Sequence, residues 1–191
     1  MKKLVVLFVS TVLSMSVFSQ SAHFVVTKDG LRDGNDETKN YIVIDVENVA
    51  AKELYDMAIK YVQEAYKSPD NAIKGNTQGE YLRIHTFASE FVRYNNSGVR
   101  IPVDADYAIE LRFKDGRVRY EIVNLTMKGS GKNSNYEMKF SGGIMSGYVI
   151  YKSNGELFKK DAKDDVENYF NAQVSALQLY LNNNSKTVDE W

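Results

Sequence analysis

The chain has 191 residues, 24 basic and 25 acidic, with no cysteine and a formal charge of −1. That length suits a single domain with its own apolar core. The even charge leaves no basic stripe for nucleic acid, and the lack of cysteine excludes disulfides, thiolate metal sites and a lipoprotein-type anchor.

Met1-Lys2-Lys3 is a charged start, and Leu4 to Phe18 is an apolar run too short to span a bilayer comfortably. This is the pattern of a secretory signal. Val17-Phe18-Ser19 places cleavage between Ser19 and Gln20. The expected division is a leader over 1–19, one domain over 20–183 and a frayed tail over 184–191. Loss of the two leader lysines leaves 22 basic residues against 25 acidic, a charge of −3. The expected location is the periplasm or cell exterior, with no membrane span after cleavage.

His23 to Thr27 is a short apolar run of strand type, and the polar, Gly- and Asp-rich Lys28 to Asn40 reads as a loop. Tyr41 to Val46 is β-branched and reads as a strand. Asn48 is a candidate N-cap for a helix whose apolar residues Leu54, Met57, Ala58, Tyr61, Val62 and Ala65 recur at spacings of three and four. Ser68-Pro69 stops it, because the residue before proline avoids helical backbone. Ala72 to Glu80 reads as a strand and turn, and Tyr81 to Val92 as a strand broken or bulged near Ser89. Tyr94 to Asp106, with Asn95-Asn96-Ser97-Gly98 and Pro102, reads as a loop.

Tyr107 to Met127 holds two alternating runs about Asp115-Gly116, a strong hairpin signal. A two-residue loop pairs Lys114 with Arg117, Phe113 with Val118, Leu111 with Tyr120 and Ile109 with Ile122. One face then carries every apolar pair. The other pairs Arg112 with Arg119 and Glu110 with Glu121, with the diagonals Glu110–Arg119 and Arg112–Glu121 offsetting the like charges. Beyond the hairpin, Lys128 to Asn135 is Gly- and Ser-rich and Tyr136 to Phe140 is of strand type. Gly142-Gly143 is a break, Gly147 to Tyr151 is apolar, and Asn154-Gly155 marks a tight turn. Asp161 is a candidate cap for a long final helix along which Ala162, Val166, Tyr169, Phe170, Val174, Leu177 and Leu181 recur at helical spacing. These elements define an α+β domain: an antiparallel sheet with two helices packed on one face, in β-α-β(n)-α order.

Few residues carry chemistry. Lys128-Gly-Ser-Gly-Lys132 lacks the spacing of a phosphate loop, with Thr126 and Asn133 where glycine and Ser/Thr belong. Asp29, Asp33, Asn35, Asp36 and Glu37 form a poor calcium loop, since Leu31 and Asn40 occupy ligand positions. His23 and His85 have no second ligand at metal spacing. The carboxylate pairs Asp104/Asp106 and Asp164/Asp165 read as ordinary loop and helix-start residues. No catalytic residue, cofactor or metal is expected.

Regular alternation beyond Ile122 points Val123, Leu125 and Met127 to the uncovered face, as an apolar strip fit for an interaction. A bulge near Asn124 instead turns Leu125 and Met127 into the core. One strand's alternation does not decide between the two.

Lys114-Asp-Gly-Arg-Val-Arg-Tyr-Glu-Ile122, the helix pair Leu54-Tyr55 and the leader ending Phe18-Ser19-Gln20 together resemble a family of secreted Bacteroidetes proteins. That family is known as domain of unknown function 4468, with a TBP-like fold. The resemblance covers about Tyr41 to Asn124 and implies a curved sheet with helices on one face. Where the family suggests a tryptophan in the early helix, Tyr61 stands nearest. It implies no activity, and a TBP-like shape does not imply DNA binding.

The expected function is that of an exported, non-enzymatic binding domain for an envelope protein, peptide or glycan, with self-association open to it. A carboxylate-dependent hydrolase working in a groove beside the sheet is the alternative, and a structural envelope component is a third.

Overall fold

The structure is a computed structural model and describes residues 21–133, 135–143, 145 and 148–185. The expected leader with its Ser19–Gln20 junction lies outside the described residues, as do 186–191 of the expected tail. In chain order the elements are β1 (Phe24–Thr27), β2 (Gly30–Asp33), β3 (Tyr41–Asp45), α1 (Ala51–Ala65), the single turn α2 (Pro69–Ala72) and β4 (Ile73–Thr77). There follow β5 (Tyr81–Asn96), β6 (Val99–Lys114), β7 (Arg117–Gly129), β8 (Glu137–Gly142), β9 (Tyr148–Lys152) and α3 (Lys160–Ser185).

The Asp115-Gly116 turn fixes the centre. Lys114 pairs with Arg117, Phe113 with Val118, Leu111 with Tyr120 and Ile109 with Ile122, the register read from the sequence. Gly116 takes a φ of 74°, which a side chain would resist. The same turn starts α1. The Asp115 carboxylate accepts the Ala51 N–H at 2.8 Å, Gly116 N–H donates to the Val49 carbonyl at 2.8 Å, and Val46 N–H donates to the Gly116 carbonyl at 2.8 Å. Asn48 is therefore not the cap; it sits at φ 62° and the helix begins after Ala50. Asp115→Ala is expected to cost about 1 kcal/mol, as loss of a helix cap does. Urea unfolding of the two proteins measures it.

The large sheet runs β4-β5-β6-β7-β8-β9, with β3 also paired to β7. β3 lies against Arg117–Glu121 and β8 against Met127–Lys128, so the two share one edge of β7 end to end. All pairings are antiparallel except β8 with β9, which run parallel. The stretch Tyr94–Asp106 is not a loop. It forms the far half of a hairpin of two 16-residue strands, turning at Ser97-Gly98 with φ of 50° and 85°. Positive φ at both central residues gives the turn the twist a hairpin needs. Residues 28–40 are likewise not all loop, because β2 folds back on β1 to make a separate two-stranded sheet. Its exposed edge is closed by α3. Asn171 both accepts from Phe24 N–H (2.7 Å) and donates to the Phe24 carbonyl (2.9 Å), and the Glu167 carboxylate accepts from Val26 N–H (2.7 Å). Side chains thus satisfy the backbone groups a free strand edge would expose.

Both long helices lie on one face. α1 turns Leu54, Met57, Ala58 and Val62 inward, and α3 turns Ala162, Val166, Phe170, Val174, Leu177 and Leu181 inward; all are buried. They meet Leu111, Phe113, Val118 and Tyr120 from the sheet, each at most 5 % exposed. Phe170 packs edge-on against Tyr107 at 5.3 Å between ring centres. α3 starts at Lys160, so Asp161 lies in its first turn and favours the positive end of the helix dipole. Among the described residues no helix is long and apolar enough to cross a membrane.

Candidate functional site

The uncovered face of the sheet is ordered by strand pairing, and each row across it can be named. Tyr81, Arg112 and Arg119 form one row; Arg83, Glu110 and Glu121 the next; His85, Ala108 and Val123 the next; Phe87, Asp106 and Thr126 the next; Asp104 and Lys128 the last. The first two rows make a charged network. Arg83 reaches Glu110 at 2.7 Å and Arg119 reaches Glu121 at 2.6 Å, while Arg112 lies 3.8 Å from Glu110. The expected cross-strand diagonals do not form. Arg83 stands directly opposite Glu110, and arginine is long enough to reach two residues along its own strand. Arg119 also stacks on the Tyr41 ring at 3.7 Å.

Two bulges flank β6 at the lower rows. On β5 the pairing slips between Ala88 and Val92, with Glu90 at φ 48°, so the irregularity near Ser89 is present. On β7 it slips between the partners of Asp106 and Ala108, with Asn124 at φ 55°. The β7 bulge decides the fate of the apolar strip. Met127 is buried at 3 % exposure and Leu125 packs against the core, whereas Val123 stays on the uncovered face beside Ala108. One extra residue reverses the alternation beyond it. Val123, Leu125 and Met127 therefore do not share a face.

Below the bulges opens a groove of about 400 Å³, lined by Phe87, Asp104, Asp106, Thr126, Lys128, Gly129 and Gly131. The β5 bulge turns Glu90 N–H onto the Asp104 carboxylate at 2.8 Å. The Ser130 hydroxyl donates to the same Asp104 oxygen at 2.5 Å, and the Ser89 hydroxyl does so weakly at 3.5 Å. The Ser130 bond, followed by the other two donors, holds the Asp104 carboxyl below the usual aspartate range. His85 Nε2 lies 3.1 Å from the Asp106 carboxylate. Lys128 forms no ion pair among the described residues. Phe87 is 62 % exposed, and among the described large apolar residues left in the open it alone sits in the interior of a strand.

Ser130 closes the groove through a tight return of the chain. A Cβ at Gly129 would stand 2.5 Å from the Asn133 carbonyl, so only glycine fits there. This is the Lys128–Lys132 segment, and it folds as a short 3₁₀ turn at Gly131–Asn133 rather than a phosphate cradle. A lowered Asp104 contributes stability in full above the ordinary aspartate pKa, and loses it as pH falls through the lower native value. Ser130→Ala is expected to move the Asp104 midpoint up toward the ordinary value in a carboxyl NMR titration, with the other aspartates unmoved.

The remaining sequence candidates do not converge. Asp33 and Asp36 accept hydrogen bonds from Asn35 and Thr38 within their own loop, and Asp36 pairs with Lys39 at 2.9 Å. The Thr38 hydroxyl and Lys39 hold Asp36 down to about 2. His23 contacts the Ser21 carbonyl, and Asp164 pairs with Lys160. Among the described residues no group of three or more His, Asp and Glu could hold a metal. A second depression lies between α1 and β4, lined by Tyr55, Ile59, Gln63, Ile73 and Asn76, and is more open than the first. β4 there is five residues long and kinked at Lys74, which blunts it as an edge for strand addition.

The groove therefore lies on the bare side of a curved antiparallel sheet whose other side carries two helices, the arrangement of a TBP-like α+β domain. Residues 41–128 match the family model described as "Domain of unknown function (DUF4468) with TBP-like fold", which bears out the resemblance read in the sequence. The chain is also similar to a DUF4468 family protein from Bacteroides ovatus, at 14 % identity and a TM-score of 0.46 over 76 % of this chain and 89 % of that one. A TBP-like protein from Parabacteroides distasonis is similar at 13 % identity and a TM-score of 0.49, over 75 % and 91 % of the two chains. No curated protein matches.

Proposed function

We propose that this protein is an exported, non-enzymatic binding domain, and that its ligand sits in the groove of Phe87, Asp104, Asp106, Thr126 and Lys128. The charged start and apolar run of residues 1–18 support export. The observation that carries the binding reading is the exposed Phe87 ring beside polar groups that are held in place but not used up. An acid catalyst needs a carboxyl kept protonated near neutral pH by burial or a like charge. Asp104 is instead stabilised as its anion by three donors. The site is open to solvent, which weakens the electrostatic leverage a hydrolase requires.

Immobilised wild-type protein and a Phe87→Ala/Asp106→Asn variant, exposed to native envelope extract, provide the test. Wild type should retain material that the groove variant releases, and a Lys60→Ala variant on α1 should behave as wild type. Retention that survives the groove substitutions contradicts the reading, as does conversion of retained material to smaller products.

A further inference from the structure

We infer that the ligand of this groove is a neutral glycan, an inference that rests on the groove being the binding site. The lining decides the class. On the acceptor side, one oxygen of Asp104 and one of Asp106 have no hydrogen-bond partner among the described residues. On the donor side stand the Lys128 ammonium and the Thr126 hydroxyl, neither of them engaged among the described residues. The Phe87 ring forms an apolar wall beside them.

Each simpler ligand leaves part of this lining unmatched. A cation would meet Lys128, and an anion would meet two carboxylates. A flat apolar group would strand four polar side chains without partners, which costs free energy. A sugar ring presents hydroxyls that both donate and accept, so adjacent hydroxyls can give to the carboxylates and receive from Lys128 and Thr126. Its C–H face can lie on Phe87, whose ring face is electron-rich. A few fixed polar groups beside an aromatic wall are what set orientation in small-ligand sites. The strand spacing helps, because Asp104 and Asp106 are two residues apart on β6 and so project on the same side. The groove is open to solvent rather than enclosed, which suits one or two rings of a longer chain.

Calorimetric titration tests the class, with cellohexaose, maltohexaose and chitohexaose as glycan probes and hexalysine and calcium chloride as the competing chemistries. At least one hexasaccharide should bind wild type. Phe87→Ala and Asp106→Asn should each weaken that binding tenfold or more, and Arg112→Ala, outside the groove, should not. All three substitutions are at exposed side chains, so an unchanged circular dichroism spectrum confirms that the fold is kept. Sugar binding that ignores Phe87→Ala overturns the inference. Failure of every hexasaccharide, with hexalysine or calcium bound and lost in Asp106→Asn, overturns the glycan class while leaving the groove as the binding site. Failure of every probe, joined to extract retention that ignores the groove variant, overturns both.

Discussion

Leu111→Ala is expected to lower the free energy of unfolding by about 2–5 kcal/mol, the range for emptying a well-packed core position. Leu111 is 1 % exposed, opposite Tyr120 on the helix-covered face. Deleting its side chain removes apolar burial and leaves a hole between α1, α3 and the sheet that rigid strands cannot close. The next residue supplies the control. The Arg112 side chain is 58 % exposed, lies over the Tyr81 ring and reaches Glu110 at 3.8 Å. Arg112→Ala should cost less than ~1 kcal/mol, as a screened surface contact does. Urea denaturation of the two variants measures the difference, and equal losses would mean that the faces of β6 are assigned the wrong way round.

Met127→Lys is expected to collapse the fold. Met127 is 3 % exposed and lies beyond the Asn124 bulge, among core side chains. An ammonium there loses its water without gaining a partner, at a cost of several kcal/mol, which is a large share of the roughly 5–15 kcal/mol that holds a domain folded. Val123, four residues earlier on the same strand, is half-buried on the uncovered face beside Ala108, where a lysine can reach water, so Val123→Lys should lower the thermal midpoint far less. Strict alternation would put residues 123 and 127 on one face and give the two lysines the same effect. The contrast in thermal midpoints therefore reads the bulge directly.

The hairpin was legible because Asp-Gly between alternating apolar runs is a strong turn signal, and because only one register gathers the apolar residues. The helices were legible from their stripes. What escaped the sequence depends on contacts between distant segments or on single backbone states. Pro102 and the polar Asn95–Gly98 run made the end of β5 and the first half of β6 look like a loop, although Val103, Ala105 and Tyr107 alternate with Asp104 and Asp106. Reading that alternation through the proline would have found the strand, and with it the two carboxylates on one face. The cap of α1 was missed because Asp115 lies 64 positions from Ala51. The groove was missed because it needs three strands and two bulges at once. Asparagine tolerates the positive φ found at Asn124, so a bulge there was one of two readings the sequence offered, whereas Glu90 is of a type that rarely adopts it.

The claim that binding happens on the uncovered face has one most direct measurement. Amide chemical shifts of the labelled protein should be followed as the material retained from envelope extract is added. The shifts should concentrate on residues 85–88, 104–106 and 126–130, leaving α1 and α3 unmoved. Shifts centred on the two helices, or on the α1–β4 depression, would place the ligand on the other side of the sheet and contradict it.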